Sequence, residues 1–318
     1  FMELCPSTMA VVYSGGQTKV TGDADDPGVR VIASDVRGKC TTKFQGTSSA
    51  APLAAGAFAL VLEANPNLTY RDVMHLIART SRIPNIEETD GWIVNGANYH
   101  VNEKYGFGVL DVAQMIQEAI NWQNVPERQK CVVNYAGGKL PDLGGNDKIE
   151  LELSVDPTSC PNLNVLEHVV ANISFDYSSR GDLKLTLISP SGTPSEMLSY
   201  RKNDRSNKGV YYFPFMTVFN WGESPVGTWK LIVETRTRLP STTSLQTQQQ
   251  KQQQQQQNSG RLTHFSLTLF GSEKQTNGES SQQNTNSKRF ASHGNQQQQQ
   301  QQLDTNNKLA KQLSYNDL

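Results

Sequence analysis

Gly46-Thr47-Ser48-Ser49-Ala50-Ala51-Pro52-Leu53-Ala54-Ala55-Gly56 reads as a tight turn that delivers a serine onto the first turn of a helix. Gly46 permits a backbone conformation that a side chain would block. Ser48 then stands where the N–H groups of the first turn and the positive end of the helix dipole are exposed. A serine so placed can serve as nucleophile, and its own backbone N–H can help hold the oxyanion formed on an attacked carbonyl. Residues 50–64 are apolar almost all round, which predicts a buried helix rather than a surface one. Pro52 is expected near the first turn, where a missing N–H costs little. Taken alone, Gly-Thr-Ser is no more than a helix cap, because Ser and Thr are the usual N-cap residues.

The 318 residues carry a formal net charge of -1, which offers no electrostatic footing for nucleic acid or a charged surface. Their number suggests about two domains. The chain begins at Phe1 inside an apparent motif, and it is expected to be the C-terminal part of a longer protein. No run of about 18 apolar residues is evident, so no membrane span is expected. Four cysteines are too few for a disulfide-dense scaffold, and no Cys-x-x-Cys or histidine cluster suggests zinc.

Ala10-Val11-Val12-Tyr13 and residues 29–32 read as strands. Asp23, Asp25 and Asp26 between them read as a solvated acidic turn. Thr69-x-x-Asp72 is close to a capping box and opens a second helix to about Thr80. His75 on that helix is read as structural. Asn67-Leu68-Thr69 is an N-glycosylation sequon in a turn, and Asn172-Ile173-Ser174 is a second one inside a strand. The segment from Gly106 to Asp111 leads into a helix through Ile120. Residues 122–128 form the expected linker. Beyond it Ile149-Leu151-Leu153-Val155, Val169-Ala171-Ile173-Phe175, Leu183-Leu185-Leu187, Trp229-Leu231-Val233 and Phe265-Leu267-Leu269 repeat apolar residues with period two. That is the pattern of half-buried strands, and the Gly, Pro, Asn and Ser clusters between them predict a β-sandwich or jelly roll. A Gln-rich run at about 239–260 interrupts the pattern and reads as an exposed loop between two strands. Such length costs little, because closure entropy grows only logarithmically. Residues 272–318 are rich in Gln, Asn and Ser and are expected to be disordered.

The run from Gly46 to Thr80 resembles the nucleophile region of subtilisin-like serine proteases. It does so through Gly46-Thr47-Ser48 followed by small residues and Pro52, Leu53-Ala54-Ala55-Gly56, Leu62-Glu63-Ala64-Asn65-Pro66-Asn67-Leu68-Thr69 and Arg71-Asp72. Within that class it is most similar to the kexin branch, with furin and the neuroendocrine prohormone convertases. Leu166-Glu167-His168-Val169, Arg180-Gly181-Asp182-Leu183, Phe215-Met216, Trp221-Gly222-Glu223 and Gly227-Thr228-Trp229 resemble the landmarks of the convertase P domain. The likeness runs from Phe1 to about Gly271. It implies an α/β subtilisin-like parallel-sheet domain, of which residues 1–122 are the C-terminal part. An all-β jelly-roll or β-sandwich P domain at 123–271 and a disordered tail then follow. It also implies Ser48 as nucleophile, its N–H in the oxyanion hole, and Glu3 as a ligand of a structural calcium ion. Cys131 and Cys160 match the P-domain disulfide. Cys5 and Cys40 match cysteines that each pair with one upstream of this sequence, although sequence alone suggests that they pair with one another. Arg180-Gly181-Asp182 runs straight into a strand, so it is read as a domain landmark rather than an adhesion motif.

A serine hydroxyl needs a base, and the base needs an orienting carboxylate. His75, His100, His168, His264 and His293 all follow Ser48. The resemblance implies the order Asp, His, Ser, so the triad partners are expected upstream, and this chain alone is expected to be inactive. The longer protein would be a calcium-dependent, soluble serine endopeptidase of the secretory pathway (Golgi, granules or secreted). It would cut precursor proteins and prohormones after paired basic residues, with its own propeptide as inhibitor and chaperone. Phe44-Gln45 stands where the family usually has His-Thr, which bears on preference after the scissile bond. The alternative is a non-catalytic homologue acting as a binding or scaffold protein through its P domain. An unrelated esterase is disfavoured, because the motif is not Gly-x-Ser-x-Gly and no later Asp and His at strand ends are evident.

Overall fold

The computed structural model describes residues 4–15, 31–44, 46–84, 90–237 and 259–273. Glu3, the Asp23–Asp26 turn, Gln45, most of the Gln-rich insertion and the tail from residue 274, His293 included, lie outside them.

The first region is helical. A short antiparallel hairpin of β1 (Val31–Asp35) and β2 (Lys39–Phe44) leads into α1 (Thr47–Ala64). Then come α2 (Tyr70–Thr80), the two-residue strands β3 (Ile93–Val94) and β4 (His100–Val101), and α3 (Val112–Ile120). The expected capping box is present. The Thr69 N–H donates to the Asp72 carboxylate at 2.7 Å, and the Asp72 N–H to the Thr69 hydroxyl at 3.3 Å. Asp111 caps α3 by accepting from the Gln114 N–H at 3.0 Å. Val61, Leu68, Leu76, Ile77, Leu110, Met115 and Ala119 form the small core between the helices.

Four expectations for this region are corrected. Ala10–Tyr13 is not a strand. Val11 forms a single parallel bridge to Val109, whose other side is already bridged to Arg82. Pro52 is the sixth residue of α1, past the first turn, so the helix lacks an N–H for the Ser48 carbonyl four residues earlier. Finally, α1 is not buried. Only Ser49, Ala57 and Val61 are enclosed, and Leu53, Leu60 and Leu62 are 44%, 51% and 40% exposed. Among the described residues, no sheet covers its remaining faces. Nor is a long apolar helix missing, as the sequence suggested. By length and composition α1, with mean hydropathy 1.3 over 18 residues, could cross a membrane. Its alanines give that hydropathy without a visible run of large apolar side chains.

The second region is an antiparallel sandwich, as the period-two pattern predicts. Its strands are β5 (Gln129–Asn134), β6 (Asp142–Leu143), β7 (Lys148–Val155), β8 (Val165–Tyr177), β9 (Leu183–Ile188), β10 (Pro194–Leu198), β11 (Val210–Thr217), β12 (Gly227–Thr235) and β13 (Gly260–Ser272). One sheet runs β10-β9-β12-β7 and the other β11-β8-β13-β5, with β6 beside β13. Leu151, Leu153, Val169, Ile173, Phe175, Leu185, Trp229, Leu231, Phe265 and Leu267 meet between the sheets. The Gln-rich insertion falls between β12 of one sheet and β13 of the other. Arg180–Asp182 forms a 3-10 turn, and its Asp182 is only 1% exposed. The Asp182 carboxylate accepts from the Ser179 hydroxyl at 2.6 Å and from Arg236 at 3.0 Å, so the triplet serves the fold.

Candidate active site and the seam behind it

Gly46 has φ +82° and donates its N–H to the Gly15 carbonyl at 3.0 Å. That left-handed backbone, natural only for glycine, aims the chain into α1. The two serines that follow have opposite fates. Ser49 is fully buried, and its hydroxyl donates to the Gly46 carbonyl at 2.8 Å. Ser48, the second residue of the helix, is exposed. Its hydroxyl has no hydrogen-bond partner among the described residues. Its N–H belongs to the first turn, which has no intrahelical acceptor. The pair therefore singles out Ser48 as the residue that can meet a substrate.

No described histidine stands beside it. His75 is 2% exposed, its Nε2 lies 3.1 Å from Glu167, and its ring meets Trp221 edge-on at 4.7 Å. His100 is partly buried on β4, and burial lowers its pKa. His168 stacks on Phe270 at 4.4 Å, and burial lowers its pKa despite the nearby Glu167. His264 is bonded to Ser266 at 3.0 Å. The structural reading of His75 is thus more specific than sequence could say, because it belongs to a seam joining the two regions.

That seam is polar, buried and dense. Arg71 on α2 faces Glu167 on β8, donating Nε to both carboxylate oxygens at 3.1 Å and Nη2 to one of them. Its Nη1 reaches the Pro126 carbonyl at 2.6 Å. Burial alone would raise the Glu167 carboxyl, but hydrogen bonds from His75 and Arg71, with their charge, hold it at about 2. Asn95 donates to the carbonyls of Phe219 and Trp221 at 2.8 and 2.9 Å while accepting from the N–H groups of Ala97 and Tyr99, each at 2.9 Å. Glu223 accepts from the Gly96 N–H at 2.7 Å and from the Thr193 hydroxyl. Ala78, Val101 and Phe107 share one apolar cluster with Val218, Phe219 and Trp221. The linker is tied down as well, since Trp122, Asn124 and Val125 all donate to the Asp72 carboxylate.

A subtilase-family model matches residues 4–108, and a proprotein convertase P-domain model matches residues 166–269. The chain belongs to the subtilisin-like proprotein convertases. A PC3-like endoprotease variant B of Hydra vulgaris is 41% identical over 235 residues, covering 73% of this chain and 32% of that protein. Furin of Rattus norvegicus is 37% identical over 279 residues, covering 86% of this chain and 31% of that protein. Among solved structures, an Aeromonas sobria serine protease in complex with the chaperone aligns with TM-score 0.56 and 25% identity, over 74% of this chain and 45% of that one. The chain spans about a third of the length of the curated relatives it matches.

In this convertase chain Cys131 and Cys160 form the expected disulfide. Cys5 and Cys40 are not joined to each other. Cys5 lies 2.8 Å from the Ser7 hydroxyl, and Cys40 is exposed on β2. Asn67 is exposed at the turn before α2. Asn172 lies in mid-strand on β8 with its amide donating to Thr268 at 3.0 Å, and Ser174 of that sequon is 3% exposed. Among the described residues, no three His, Cys, Asp or Glu side chains come together as a metal site. The seam residues Arg71, Asn95, Glu167 and Glu223 were not read from sequence as a unit. The one available signal was that Glu167 and Glu223 sit inside P-domain landmarks.

Proposed function

We propose that Ser48 is the nucleophile of a secretory-pathway serine endopeptidase that processes precursor proteins and prohormones after paired basic residues. The observation that carries this reading is the exposed Ser48 hydroxyl on the first turn of α1, behind a left-handed Gly46, inside a subtilase-matched segment. In the reaction Ser48 attacks the substrate carbonyl, and its N–H donates to the oxyanion that forms. A histidine held by a carboxylate would take the serine proton and give it to the leaving amine. In this reading both partners lie in sequence preceding Phe1, so the 318-residue chain alone does not turn over substrate. Calcium dependence is part of the reading, with Glu3 one ligand. The described residues do not assemble a calcium site, and no step runs through the ion. Cys5 and Cys40 pair with cysteines of that preceding sequence, and the propeptide acts as inhibitor and chaperone. The helix α1, uncovered here, packs in the longer protein beneath the parallel sheet.

The test is turnover of a fluorogenic peptide ending in Lys-Arg or Arg-Arg by the longer protein, with calcium or chelator, beside Ser48→Ala. Cleavage that both chelation and Ser48→Ala abolish is the expected result. The alanine variant should lose on the order of 10⁶-fold in kcat, the scale established for triad knockouts in subtilisin. An inert but folded, propeptide-free protein would move the reading to a non-catalytic scaffold working through the sandwich. The departure at Phe44-Gln45 beside the nucleophile favours that second reading.

A further inference from the structure

Arg180-Gly181-Asp182 takes no part in the chemistry, yet its turn holds up another loop. The Arg180 N–H donates to the Ser206 carbonyl at 2.8 Å and the Gly181 N–H to the Asp204 carbonyl at 3.1 Å, while the Gly181 carbonyl accepts from the Arg201 N–H at 2.8 Å. The Asp204 carboxylate binds Arg180 at 2.8 Å and Arg201 at 3.0 Å. These bonds fix the loop from Ser199 to Gly209 that joins β10 to β11. It carries Arg201, Lys202, Arg205 and Lys208 against the single acid Asp204, so the chain's net charge of -1 conceals a local basic cluster. Lys202, Arg205 and Lys208 are exposed, and neither Arg205 nor Lys208 meets a carboxylate among the described residues. The strand that follows adds aromatic rings. Tyr211, Tyr212 and Phe213 are each more than half exposed, but they are held. The Tyr211 hydroxyl donates to Asp176 at 2.8 Å, the Tyr212 ring packs 4.4 Å from that of His264, and the Phe213 ring lies 4.7 Å from Phe215. Val210 pairs with Phe175, so this surface lies toward the far end of β8 from Glu167, roughly 25 Å from the seam.

We propose that the basic loop and the aromatic edge beside it form a docking surface for a sulfated polysaccharide. Cations at every third position, Lys202, Arg205 and Lys208, suit a polymer that repeats its negative charge along its length. Fixed aromatic faces suit the flat apolar side of a sugar ring. An acidic peptide would have to add to the sheet at β11, which is the edge strand. That edge offers no regular ladder, because Tyr212 has φ +47° and Pro214 lacks an N–H. A bilayer would have to take in Asp176 together with Tyr211, and burying that charge is costly. A polysaccharide stays hydrated and makes neither demand. The surface is independent of whether Ser48 is a nucleophile.

The experiment titrates heparin, as the probe, into the full chain and follows binding by calorimetry. The wild-type chain should bind at about 0.1 M salt and at least about fivefold more weakly at about 0.3 M. Arg205→Gln with Lys208→Gln should weaken binding at least about fivefold and flatten the salt dependence. Tyr211→Ser with Phe213→Ser should weaken it at least about threefold and leave the salt dependence unchanged, because the rings carry no charge. Removing the same charge on the β1–β2 hairpin, Arg37→Gln with Lys39→Gln, should change the affinity less than about twofold. Melting points are read alongside, and a pair that does not fold is replaced by Arg205→Gln or Tyr211→Ser alone, with the same direction expected. A wild-type chain that ignores heparin overturns the proposal, as does a cation or aromatic variant that binds as tightly as the wild type. Tighter binding to poly-glutamate, or to vesicles of phosphatidylcholine and phosphatidylserine, than to heparin overturns it too.

Discussion

Glu167→Gln removes one negative charge from the seam while keeping the shape of the side chain. Glu167 is 2% exposed and answers both the Arg71 guanidinium and His75. Its carboxyl is held at about 2 rather than 4.5, and each pH unit between those values is worth about 1.4 kcal/mol. The charged form thus contributes about 3 kcal/mol at neutral pH. That agrees with the roughly 3–5 kcal/mol lost when one partner of a buried pair is deleted and the other stays behind. Urea unfolding followed by fluorescence should show the variant less stable by about 3 kcal/mol near pH 7. In the wild type the same contribution is present above 4.5 and disappears as pH falls toward about 2, because a lowered carboxyl forfeits its stability when it is forced to protonate. The variant should lack that acid step. Replacing both partners, Arg71→Met with Glu167→Leu, should recover part of the loss, since the guanidinium is no longer buried without its carboxylate while His75 still loses its partner. A single variant that costs less than about 1 kcal/mol, or a double variant no better than the single, would refute the claim that charge pairing at α2 holds the regions together.

Other outcomes follow from single features. Replacing Cys131 and Cys160 by Ser opens a loop with a sequence separation of 29 and should lower stability by about 3–4 kcal/mol, read by urea titration against the disulfide-intact wild type. Gly181→Ala places a methyl 2.2 Å from the Asp204 carbonyl oxygen and 2.3 Å from that of Arg201. It should cost roughly 1–3 kcal/mol, seen as a lower melting point. In a glycosylating host Asn67→Gln should remove a glycan mass and Asn172→Gln should not. Asn67 is exposed in a turn, whereas the Asn172 amide is held by Thr268 within β8; intact-mass measurement separates the two.

Much of this was legible in the sequence, and what was not has a common cause. Gly46 and Ser48 could be read because a left-handed glycine and an exposed first-turn serine leave a local signature. Thr69 with Asp72 could be read because a capping side chain and the N–H that donates to it lie three residues apart. Five strands announced themselves by alternation, but β10 is short, and β11 exposes the successive residues Tyr211, Tyr212 and Phe213, so it carries no period-two pattern there. Hydrophobicity said that α1 wants to be covered. It could not say whether the covering elements belong to the same chain. The Arg71–Glu167 pair spans 96 residues, and the Asn95 bonds to Phe219 and Trp221 span 124 and 126. No local spacing encodes such contacts.

The two regions do not depend on each other equally. The sandwich closes its own core, with Trp229, Phe175, Leu231 and Ile173 wholly enclosed between its sheets. The helical region has only a handful of enclosed apolar side chains of its own. Its other cluster is completed by Val218, Phe219 and Trp221 from the sandwich. In its loop from Asn95 to Tyr99 the Asn95 N–H reaches the Tyr99 carbonyl and the Asn98 N–H the Asn95 carbonyl, but the N–H groups of Gly96, Ala97 and Tyr99 have no backbone partners. Asn95 and Glu223 supply them instead, and a buried N–H or carbonyl left unmet would cost about 1–3 kcal/mol. This explains why the sandwich meets α2 with Glu167, and the loop with Glu223 and open carbonyls, rather than with a smooth apolar face. An apolar face would bury surface but leave that loop unsatisfied, whereas the polar seam fixes its conformation and the orientation of α2 together. From α2 the packing passes to α3 and from α3 to α1, whose first turn carries Ser48. On this account the sandwich is the scaffold on which the helix that carries Ser48 is held, and its landmark residues mark the surface that does the holding.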